Sequence, residues 1–342
     1  MGFSGTNRYS RQTLFAPIGQ DGQEKLRHSR VAVVGMGALG TVSATQLVRA
    51  GIGHVRLVDR DIIEPSNLQR QSLYDERDAQ LGRAKAEAAA EKLKLANSDV
   101  DLSYFVTDLN GHNAEALLTG VDVIVDGTDN LETRYLLNEV SVKHGIPWSY
   151  GGAVSSYGTT AFLRPGETPC LVCLFGEYQG HGHDTCDTVG VIAPVITVVA
   201  SLQVAEILKY LTDNRNALSP GLTTVDLWHN EFQHIRFNEV NSHCPCCEEH
   251  HYPLLNATTN AQTVSLCGRK TIQVRPTRTS GFDFEQVAKR LHSVGELRHN
   301  GNLLQCTLGD VKMTLFADGR ALFHGLENPA EARTLYARYV GS

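Results

Sequence analysis

The chain has 342 residues, enough for one large domain with a smaller one or for two domains of medium size. Its hydrophobic content of 42% and charged content of 20% are typical of a water-soluble globular protein. The net charge of −6 argues against nucleic acid binding, because proteins of that class usually carry a basic surface. The first residues, MGFSGTNRYSRQ, lack the apolar core of a signal peptide, so we expect a cytoplasmic protein.

The first half of the chain alternates between strand and helix patterns. Residues 30–40, RVAVVGMGALG, predict an apolar strand that enters a glycine-rich turn, and a helical pattern then continues to Gly51. The following segments predict strand HVRLVD, helix GRAKAEAAAEKLKLAN, strand DLSYFVTDL, helix NAEALLTG, strand VDVIVDGTDN, helix ETRYLLNEVSVKHG and strands within IPWSYGGAVSSYGTTAFLRP. This alternation predicts an α/β fold with a Rossmann-like, doubly wound and mainly parallel sheet.

The second half contains one long apolar stretch and then a change of composition. The stretch VGVIAPVITVVASLQVAEIL contains Pro194, Gln203 and Glu206, which favour a buried helix over a membrane span. After CPCCEEHHYPLLN the segments follow the order strand, helix, strand, hairpin and helix, with Asp318-Gly319 as the hairpin turn. We therefore predict a small α+β domain at residues 260–342.

The glycine-rich turn predicts a nucleotide site. Gly35, Gly37 and Gly40 allow backbone amides and the N-terminus of a helix to approach phosphate groups closely. Asp59 ends the next strand, where a carboxylate binds ribose hydroxyls. This pattern alone fits NAD, FAD and ATP equally well, and a purely structural glycine turn is a further alternative.

Charged residues near the predicted strand ends favour ATP over a dinucleotide. Asn67 and Arg70 lie in SNLQRQ, Lys85 begins a helix, and Asp126 and Asp129 follow a strand in DGTDN. Attack on a nucleoside triphosphate requires cations, because two anions must meet and pyrophosphate must leave. Asp129 is suited to bind Mg²⁺. Surface charges and a helix cap are the simpler interpretation, but strand ends of a doubly wound sheet converge on one crevice.

The cysteines predict a metal site. Cys170 and Cys173 form one CxxC pair, and Cys244 and Cys247 form a second, which is typical of a tetrahedral zinc site. Cys246 is an alternative to Cys247 as the fourth ligand, and four buried thiols without metal are the alternative to the site itself. Because four thiolates leave no open coordination position, the zinc would be structural.

These motifs resemble those of the MoeB/ThiF family, the bacterial relatives of the ubiquitin-activating enzymes. RYSRQ, GMGALG, SNLQRQ, DGTDN, the paired CxxC motifs and TCDTVGV occur in the family order across about residues 8–250. The resemblance implies a nucleotidyltransferase domain at residues 1–250 that uses ATP and Mg²⁺ to adenylate the C-terminal glycine of a ubiquitin-like sulfur-carrier protein. The carrier would be ThiS-like or MoaD-like, serving thiamine thiazole or molybdopterin synthesis. The tail resembles an extension found in Bacillus-type members.

The resemblance also implies roles for individual residues. Asp59 would hold the ribose, and Asp129 would bind Mg²⁺. The phosphates would be held by Asn67, Arg70 and Lys85. The implied nucleotide-binding set is Gly35, Gly37, Ala38, Gly40, Asp59, Ser66, Asn67, Leu68, Gln69, Arg70, Lys85, Asp129 and Asn130. The implied catalytic set is Arg11, Arg70, Lys85, Asp129 and Cys186.

Of these assignments, one bears on the oligomeric state and one has an alternative residue. Arg11, in RYSRQ, resembles the arginine that reaches into the neighbouring protomer's site, so the resemblance implies a homodimer. The segment YDERDAQLGRAK is slightly longer than the usual family spacing, which makes Arg83 an alternative to Lys85.

Cys186 lies in HGHDTCDTVGV, a glycine-rich segment of the kind that forms mobile loops. In the thiamine branch of the family, the similar cysteine is assigned a covalent sulfur-linked intermediate with the carrier. In the molybdopterin branch, a similar cysteine is present without being required. Both interpretations stay open for Cys186.

Other functions fit parts of the same pattern. An enzyme of the same type that activates a peptide or another carboxylate would share the motifs. An NAD-binding oxidoreductase would share the glycine turn but would not need the cations, and a non-catalytic scaffold for the carrier would not need the whole phosphate-binding set. A carboxylate nucleophile is already ionised at pH 7, so adenylation needs no general base. Adenylation of a sulfur carrier is the function that we predict.

Overall fold

The chain divides at Ala257 into two units, Met1–Ala257 and Thr258–Ser342. The computed structural model describes residues 8–179, 189–257, 263–265, 271–275, 282–292, 297–300 and 303–341. The division falls between the predicted segments 1–250 and 260–342, whose functional assignments stay predictions.

An eight-stranded sheet organises the N-terminal unit. Its strands are β1 (Arg30–Val34), β2 (His54–Asp59), β3 (Asp101–Val106), β4 (Val123–Asp126), β5 (Trp148–Val154), β6 (Tyr157–Leu163), β7 (Gly221–Asp226) and β8 (Glu231–Arg236). The strand order is β3-β2-β1-β4-β5-β6-β7-β8. Pairings from β3 to β5 are parallel, and those from β5 to β8 are antiparallel. The chain reverses its direction of winding between β1 and β4, which is the position where doubly wound sheets open a ligand crevice.

Helices cover both faces of this sheet. They are α1 (Ser10–Thr13), α2 (Gly19–His28), α3 (Ala38–Ala50), α4 (Glu76–Leu81), α5 (Lys85–Ala96), α6 (Ala114–Leu118), α7 (Leu131–His144), α8 (Leu171–Phe175) and α9 (Ala193–Leu211). Val31 and Val33 of β1 lie in the core formed with α3, α5 and α9, whereas Ala32 and Val34 lie in the core formed with α6, α7 and α8. Burial on both faces explains why β1 is an uninterrupted apolar run. The predicted doubly wound α/β fold is confirmed.

Helix α9 is the predicted buried helix. Among the described residues, it is the helix whose length and apolar composition would be sufficient to cross a membrane. It packs against α3, β5 and β6. Gln203 on this helix is fully buried and donates from Nε2 to the carbonyl oxygens of Asp126 (2.9 Å) and Ser149 (3.0 Å). These contacts identify α9 as a core helix of the N-terminal unit.

Several elements lack a clear sequence signal. Helices α1 and α2 and the hairpin of β7 and β8 are additions to the predicted set. All six residues of β8 are exposed at the edge of the sheet, so this strand lacks the buried alternation that marks a strand in a sequence.

The C-terminal unit is an antiparallel sheet with two helices. Its described strands are β9 (Thr263–Ser265), β10 (Thr271–Val274), β11 (Leu297–Asn300), β12 (Leu303–Leu308), β13 (Val311–Phe316) and β14 (Ala321–His324), in the order β11-β12-β13-β14-β10-β9. Helices α10 (Phe284–Leu291) and α11 (Pro329–Tyr339) contribute Leu291 and Tyr336 to its core. Gly319 has a φ of 83° in the turn between β13 and β14, as the predicted hairpin requires. The predicted small α+β fold is confirmed.

Three glycines allow β1, α3 and the loop after β4 to meet. A Cβ atom on Gly40 would lie 1.7 Å from the carbonyl oxygen of Gly35, and one on Gly127 would lie 2.4 Å from the same oxygen. Gly35 itself has a φ of 85°, which favours glycine. The ends of β1 and β4 therefore approach each other more closely than any side chain permits.

We expect Gly40→Ala to destabilise the N-terminal unit by about 3 kcal/mol, because the added methyl group overlaps backbone that cannot move without separating α3 from β1. Gly37→Ala is the matched control, since a Cβ there has no neighbour closer than the 3.8 Å to Gln71 Nε2. Denaturant unfolding would measure both variants. Equal stability of the two proteins would show that the Gly35–Gly40 contact is not a packing constraint.

Candidate functional site

The crevice between β1 and β4 begins at the N-terminus of α3. No side chain of the described residues caps this helix, and Gly37 occupies the position before it. The space beside Gly37 is open except for the distant amide of Gln71. Ala38 is the first helical residue. The first-turn amides and the positive end of the helix dipole thus lie next to open space at Gly37, which suits an anion.

Asp59 lies beside the glycine turn at the end of β2. Its Oδ2 accepts a hydrogen bond from Met36 N at 2.6 Å, and its Oδ1 accepts one from Asp61 N at 2.6 Å. Burial raises the pKa of Asp59, while the nearby Lys85 ammonium acts in the opposite direction. Each carboxylate oxygen can accept a further hydrogen bond, so the residue can still bind hydroxyl groups of a ligand.

Lys85, rather than Arg83, faces this crevice. Lys85 begins α5, is only 4% exposed, and its Nζ lies 3.3 Å from Asp61 Oδ2. Arg83 pairs instead with Glu91 at 2.6 Å and with Asp78 at 3.4 Å. Of the two cations, Lys85 therefore lies beside Asp59 and Asp61 at the crevice, and its role in phosphate binding stays a prediction. Asp61, which the sequence analysis did not single out, orients the ammonium.

Two buried amide groups of the SNLQRQ segment have an atom without a partner. Asn67 is fully buried in the 3₁₀ turn Pro65–Asn67, and its Oδ1 accepts a hydrogen bond from Glu64 N at 3.1 Å. In the described structure, Asn67 Nδ2 and Gln71 Oε1 make no hydrogen bond. A buried polar atom without a partner is costly, so a ligand that supplies the missing hydrogen bonds is expected here. Gln71, 4% exposed, is a site candidate that the sequence analysis missed.

The other residues of the SNLQRQ segment differ in exposure and in their contacts. Ser66 is exposed, and its carbonyl oxygen accepts a hydrogen bond from Arg70 Nη1 at 2.8 Å. Gln69 is exposed as well, whereas Leu68 packs against the hydrophobic core. The contribution of the Leu68 side chain is therefore packing.

The loop after β4 presents one exposed and one buried carboxylate. Asp129 is exposed at the end of the loop, and Asn130 caps α7 by accepting a hydrogen bond from Thr133 N at 2.8 Å. Asn130 is thus a helix cap, and its predicted role in nucleotide binding stays a prediction. Asp126 is fully buried, and its Oδ2 accepts a hydrogen bond from Arg134 Nε at 3.0 Å. Asp129 is the carboxylate of this loop that can bind a cation.

Of the two remaining predicted catalytic residues, Arg11 is described by the structure and is not brought to the crevice of its own chain. Arg11 lies exposed on α1. Cys186 lies outside the described residues. The chain resumes beside the turn between β5 and β6, where Ser155 N donates to Gly190 O at 2.7 Å and Ile192 N donates to Ser155 O at 2.9 Å.

Four cysteines from two distant segments form a compact cluster. The Sγ atoms of Cys170, Cys173, Cys244 and Cys247 all lie within 4.8 Å of one another. Individual Sγ–Sγ distances are 3.9 Å for Cys170–Cys173, 3.7 Å for Cys170–Cys244 and 3.5 Å for Cys173–Cys247. The structure thus selects Cys247 over Cys246 as the fourth member. Metal–sulfur bonds of about 2.3 Å in a tetrahedron require sulfur separations of about 3.8 Å, which the cluster matches.

Cys246 has a separate environment next to the cluster. Its Sγ accepts a hydrogen bond from Asn138 Nδ2 at 3.2 Å, and Asn138 Oδ1 accepts one from Leu171 N at 2.8 Å. A hydrogen bond from Cys246 lowers the pKa of Cys170 to about 5, whereas burial raises the pKa of Cys244 to about 11. A metal ion must displace the remaining thiol protons, so its binding weakens in acid.

The chain is similar in sequence to known proteins along almost its whole length. The model of the ThiF family matches residues 9–246. The sulfur carrier protein ThiS adenylyltransferase of Bacillus subtilis is 45% identical over 338 residues, covering 98% of this chain and 100% of that protein. The SAMP-activating enzyme E1 of Haloferax volcanii is 36% identical over 244 residues, covering 71% of this chain and 89% of that protein.

Solved structures show the same fold at lower identity. A crystal structure of Escherichia coli MccB with ATP matches with a TM-score of 0.61 and 24% identity, covering 71% of this chain and 75% of that chain. At this identity the likeness concerns the fold alone. Because the family match extends over more than half of the chain and includes the glycine turn, the SNLQRQ and DGTDN segments and the first three cysteines of the cluster, the chain belongs to the ThiF family.

Proposed function

We propose that the chain is an adenylyltransferase that uses ATP and Mg²⁺ to activate the C-terminal carboxylate of a ubiquitin-like sulfur-carrier protein. The observation that carries this proposal is the crevice between β1 and β4. The open N-terminus of α3, the unpartnered Nδ2 of Asn67 and the buried Lys85 belong to segments that meet at the glycine turn. Gln71, whose amide N donates to Asn67 O, lies beside Gly37, and Tyr74 Oη is within hydrogen-bond distance of the carbonyl oxygens of Met36 and Lys85. Family membership and the similarity to the ThiS adenylyltransferase of Bacillus subtilis support the same activity.

The residues of the crevice supply the groups that a nucleoside triphosphate needs. Asp59 would accept hydrogen bonds from the ribose hydroxyls. The amides of the first turn of α3, with Asn67 Nδ2, would donate to phosphate oxygens, and Lys85 and Arg70 would neutralise their charge. Mg²⁺ held by Asp129 would further neutralise the phosphates during the reaction.

Adenylation then requires positioning and charge neutralisation only. An oxygen of the carrier's terminal carboxylate bonds to the α-phosphorus, the bond from that phosphorus to the bridging oxygen of the β-phosphate breaks, and pyrophosphate leaves with the electron pair. No proton is transferred, so a general base is unnecessary. The residues of the crevice accelerate the step by holding the phosphates and by stabilising the charge that passes to pyrophosphate.

We propose that the carrier is ThiS-like. The Bacillus subtilis relative, named for ThiS, aligns along its entire length, so the similarity includes the C-terminal unit. The Haloferax volcanii relative covers 71% of this chain. With a ThiS-like carrier, Cys186 is a candidate for a covalent sulfur-linked intermediate after adenylation, because a thiolate is a strong nucleophile.

We further propose a homodimer in which Arg11 serves the partner's crevice. Arg11 is exposed on α1, before β1 in the chain, and the exposed side chains of Leu14 and Phe15 follow it. Exposed apolar side chains next to a cation fit a surface that a second protomer covers.

We propose that the four-cysteine cluster binds structural zinc. The sulfur separations fit the tetrahedral geometry of this ion, and the cluster joins α8 to the segment after β8. With all four positions filled by thiolates, the ion would stabilise the fold without taking part in adenylation.

Asp129→Ala should reduce Mg²⁺-dependent exchange of pyrophosphate into ATP by roughly 100-fold or more, because the ion that neutralises the phosphates loses its protein ligand. The assay contains the purified chain, a ThiS-like carrier and labelled pyrophosphate. Asp122→Ala is the matched control, since Asp122 is another exposed aspartate next to β4, and its Oδ2 accepts a hydrogen bond from Arg30 N. Cys186→Ser should also retain exchange within a few-fold of wild type, because adenylation does not use the thiol. Near-normal exchange in Asp129→Ala would remove Asp129 from the site.

The proposed dimer predicts complementation between two inactive variants. Arg11→Ala and Asp129→Ala should each lack exchange activity, and a mixture of the two after subunit exchange should regain about a quarter of the wild-type activity. Half of the randomly mixed dimers are heterodimers, and each of these contains one complete site. Mass spectrometry of intact dimers would establish that subunits have exchanged. No recovery in such a mixture would mean that Arg11 does not serve the opposite site.

The cysteine cluster predicts a difference between neighbouring thiols. Cys247→Ser should lose the single zinc ion per chain and lower the thermal unfolding temperature, whereas Cys246→Ser should keep the ion. Cys306→Ser, which changes a buried cysteine of the C-terminal unit, is a second control that should retain zinc. Elemental analysis of purified protein measures the outcome. Zinc loss in Cys246→Ser with retention in Cys247→Ser would reverse the assignment of the fourth ligand.

A further inference from the structure

Arg134 is a buried cation at an unfavourable position in its helix. It lies in the first turns of α7, where the helix dipole disfavours positive charge. Its side chain is only 13% exposed, so the charge is also largely removed from water. Two unfavourable contributions at one residue indicate that specific contacts compensate for them.

The contacts of Arg134 converge on the loop after β4. Its Nε donates to Asp126 Oδ2 at 3.0 Å, and its Nη2 donates to the carbonyl oxygens of Thr128 and Gly151, each at 2.9 Å. The guanidinium also lies 5.4 Å from the centre of the Tyr150 ring. One planar group thereby joins the end of β4, the loop that follows it and β5.

Asp126 fixes the same loop from the other side. Its Oδ1 accepts hydrogen bonds from Thr128 N at 2.9 Å and from Thr128 Oγ1 at 2.7 Å. The amide and the carbonyl of Thr128 are therefore both held, one by Asp126 and the other by Arg134. Asp129 follows directly, and in the described structure no hydrogen bond fixes its exposed carboxylate. The position of that carboxylate thus depends on the backbone of Thr128 and on the attraction of the nearby Arg134 charge.

We propose that Arg134 is a positioning residue for the Mg²⁺ site, acting through Asp126 and Thr128 on the Asp129 carboxylate. This inference rests on the proposed function, in which Asp129 binds Mg²⁺. The arrangement requires arginine, because three donor contacts in different directions need a planar fork, and the single ammonium of lysine cannot reproduce them. Arg134 does not touch the nucleotide in this scheme. Its effect falls on metal affinity.

Arg134→Lys tests the proposal through the Mg²⁺ dependence of ATP–pyrophosphate exchange with a ThiS-like carrier. We expect the Mg²⁺ concentration for half-maximal activity to rise at least tenfold, and saturating Mg²⁺ to restore most of the rate. Arg164→Lys is the matched control. Arg164 has a similarly shielded side chain, 16% exposed, and an ion pair to Glu167 at 2.8 Å. It follows β6 at the opposite end of the strands from the crevice, because Leu163 at the end of β6 pairs with Trp148 at the start of β5.

A second and milder variant keeps the test decisive if Arg134→Lys fails to fold. Thr128→Val removes one hydrogen bond to Asp126 and retains the ion pair, so a threefold rise in the half-maximal Mg²⁺ concentration is expected. Thermal unfolding establishes which variants are folded. A normal Mg²⁺ dependence in the folded variants, including a rate lowered equally at every Mg²⁺ concentration, would overturn the positioning role. Absence of exchange in the wild-type protein would instead refute the proposed function.

Discussion

The candidate site depends on the close packing of two glycines against the carbonyl oxygen of Gly35. Two glycines, Gly40 of α3 and Gly127 of the loop after β4, pack against this one atom so closely that neither position has room for a Cβ. The contact draws the ends of β1 and β4 together, and the space beside Gly37 at the N-terminus of α3 is open except for the Gln71 amide. A crevice that is narrow between backbones and open to a ligand follows from this packing, because side chains that would fill it are excluded.

On either side of this contact, buried charged side chains are paired with opposite charges. Their hydrogen bonds also fix the backbone next to the crevice. On the β2 side, Asp59 binds the amides of Met36 and Asp61, and Asp61 faces the Lys85 ammonium. On the β4 side, Asp126 faces Arg134. Isolated charges at these depths would be costly, and pairing with hydrogen bonds removes most of that cost. Both arrangements orient a group at the crevice: Lys85 in the first case and the Asp129 loop in the second.

The sequence predicts those parts of the fold that follow from local chemistry. The apolar runs of β1 and β4, the helix formers of α5 and the glycine turn each indicate their structure without reference to the rest of the chain. Helix α2 does not, because its segment contains Gly19 and Gly22 and depends on long-range contacts. One of these is the hydrogen bond from Gln23 Nε2 to Ala50 O at 3.0 Å.

The same difference between local signals and long-range contacts explains which residues of the candidate site the sequence predicts. Motif residues such as Asp59 and Asn67 are recognisable because their chemistry and their place after a strand or turn are both visible in the sequence. Gln71 and Arg134 are not, since only the folded chain shows an unpartnered buried oxygen in the first and three converging contacts in the second. Asn130 has a structural role that the sequence also allows, since its Oδ1 caps α7, and its predicted part in nucleotide binding stays a prediction.

Side chains of helix α7 form hydrogen bonds both to the loop beside the crevice and to the segments that carry the cysteine cluster. Arg134 contacts the loop after β4, and Asn138, one turn later on the same face, binds Leu171 N and Cys246. Glu139 then accepts hydrogen bonds from Leu254 N and Leu255 N, which hold the segment that follows the second CxxC pair. The helix is thus bonded to the candidate Mg²⁺ loop at one end and to the cysteine-bearing segments along its middle. One helix thus holds both the loop after β4 and the segments that carry the four cysteines, and a structural ion bound by the cluster as proposed above would stabilise the second set of contacts.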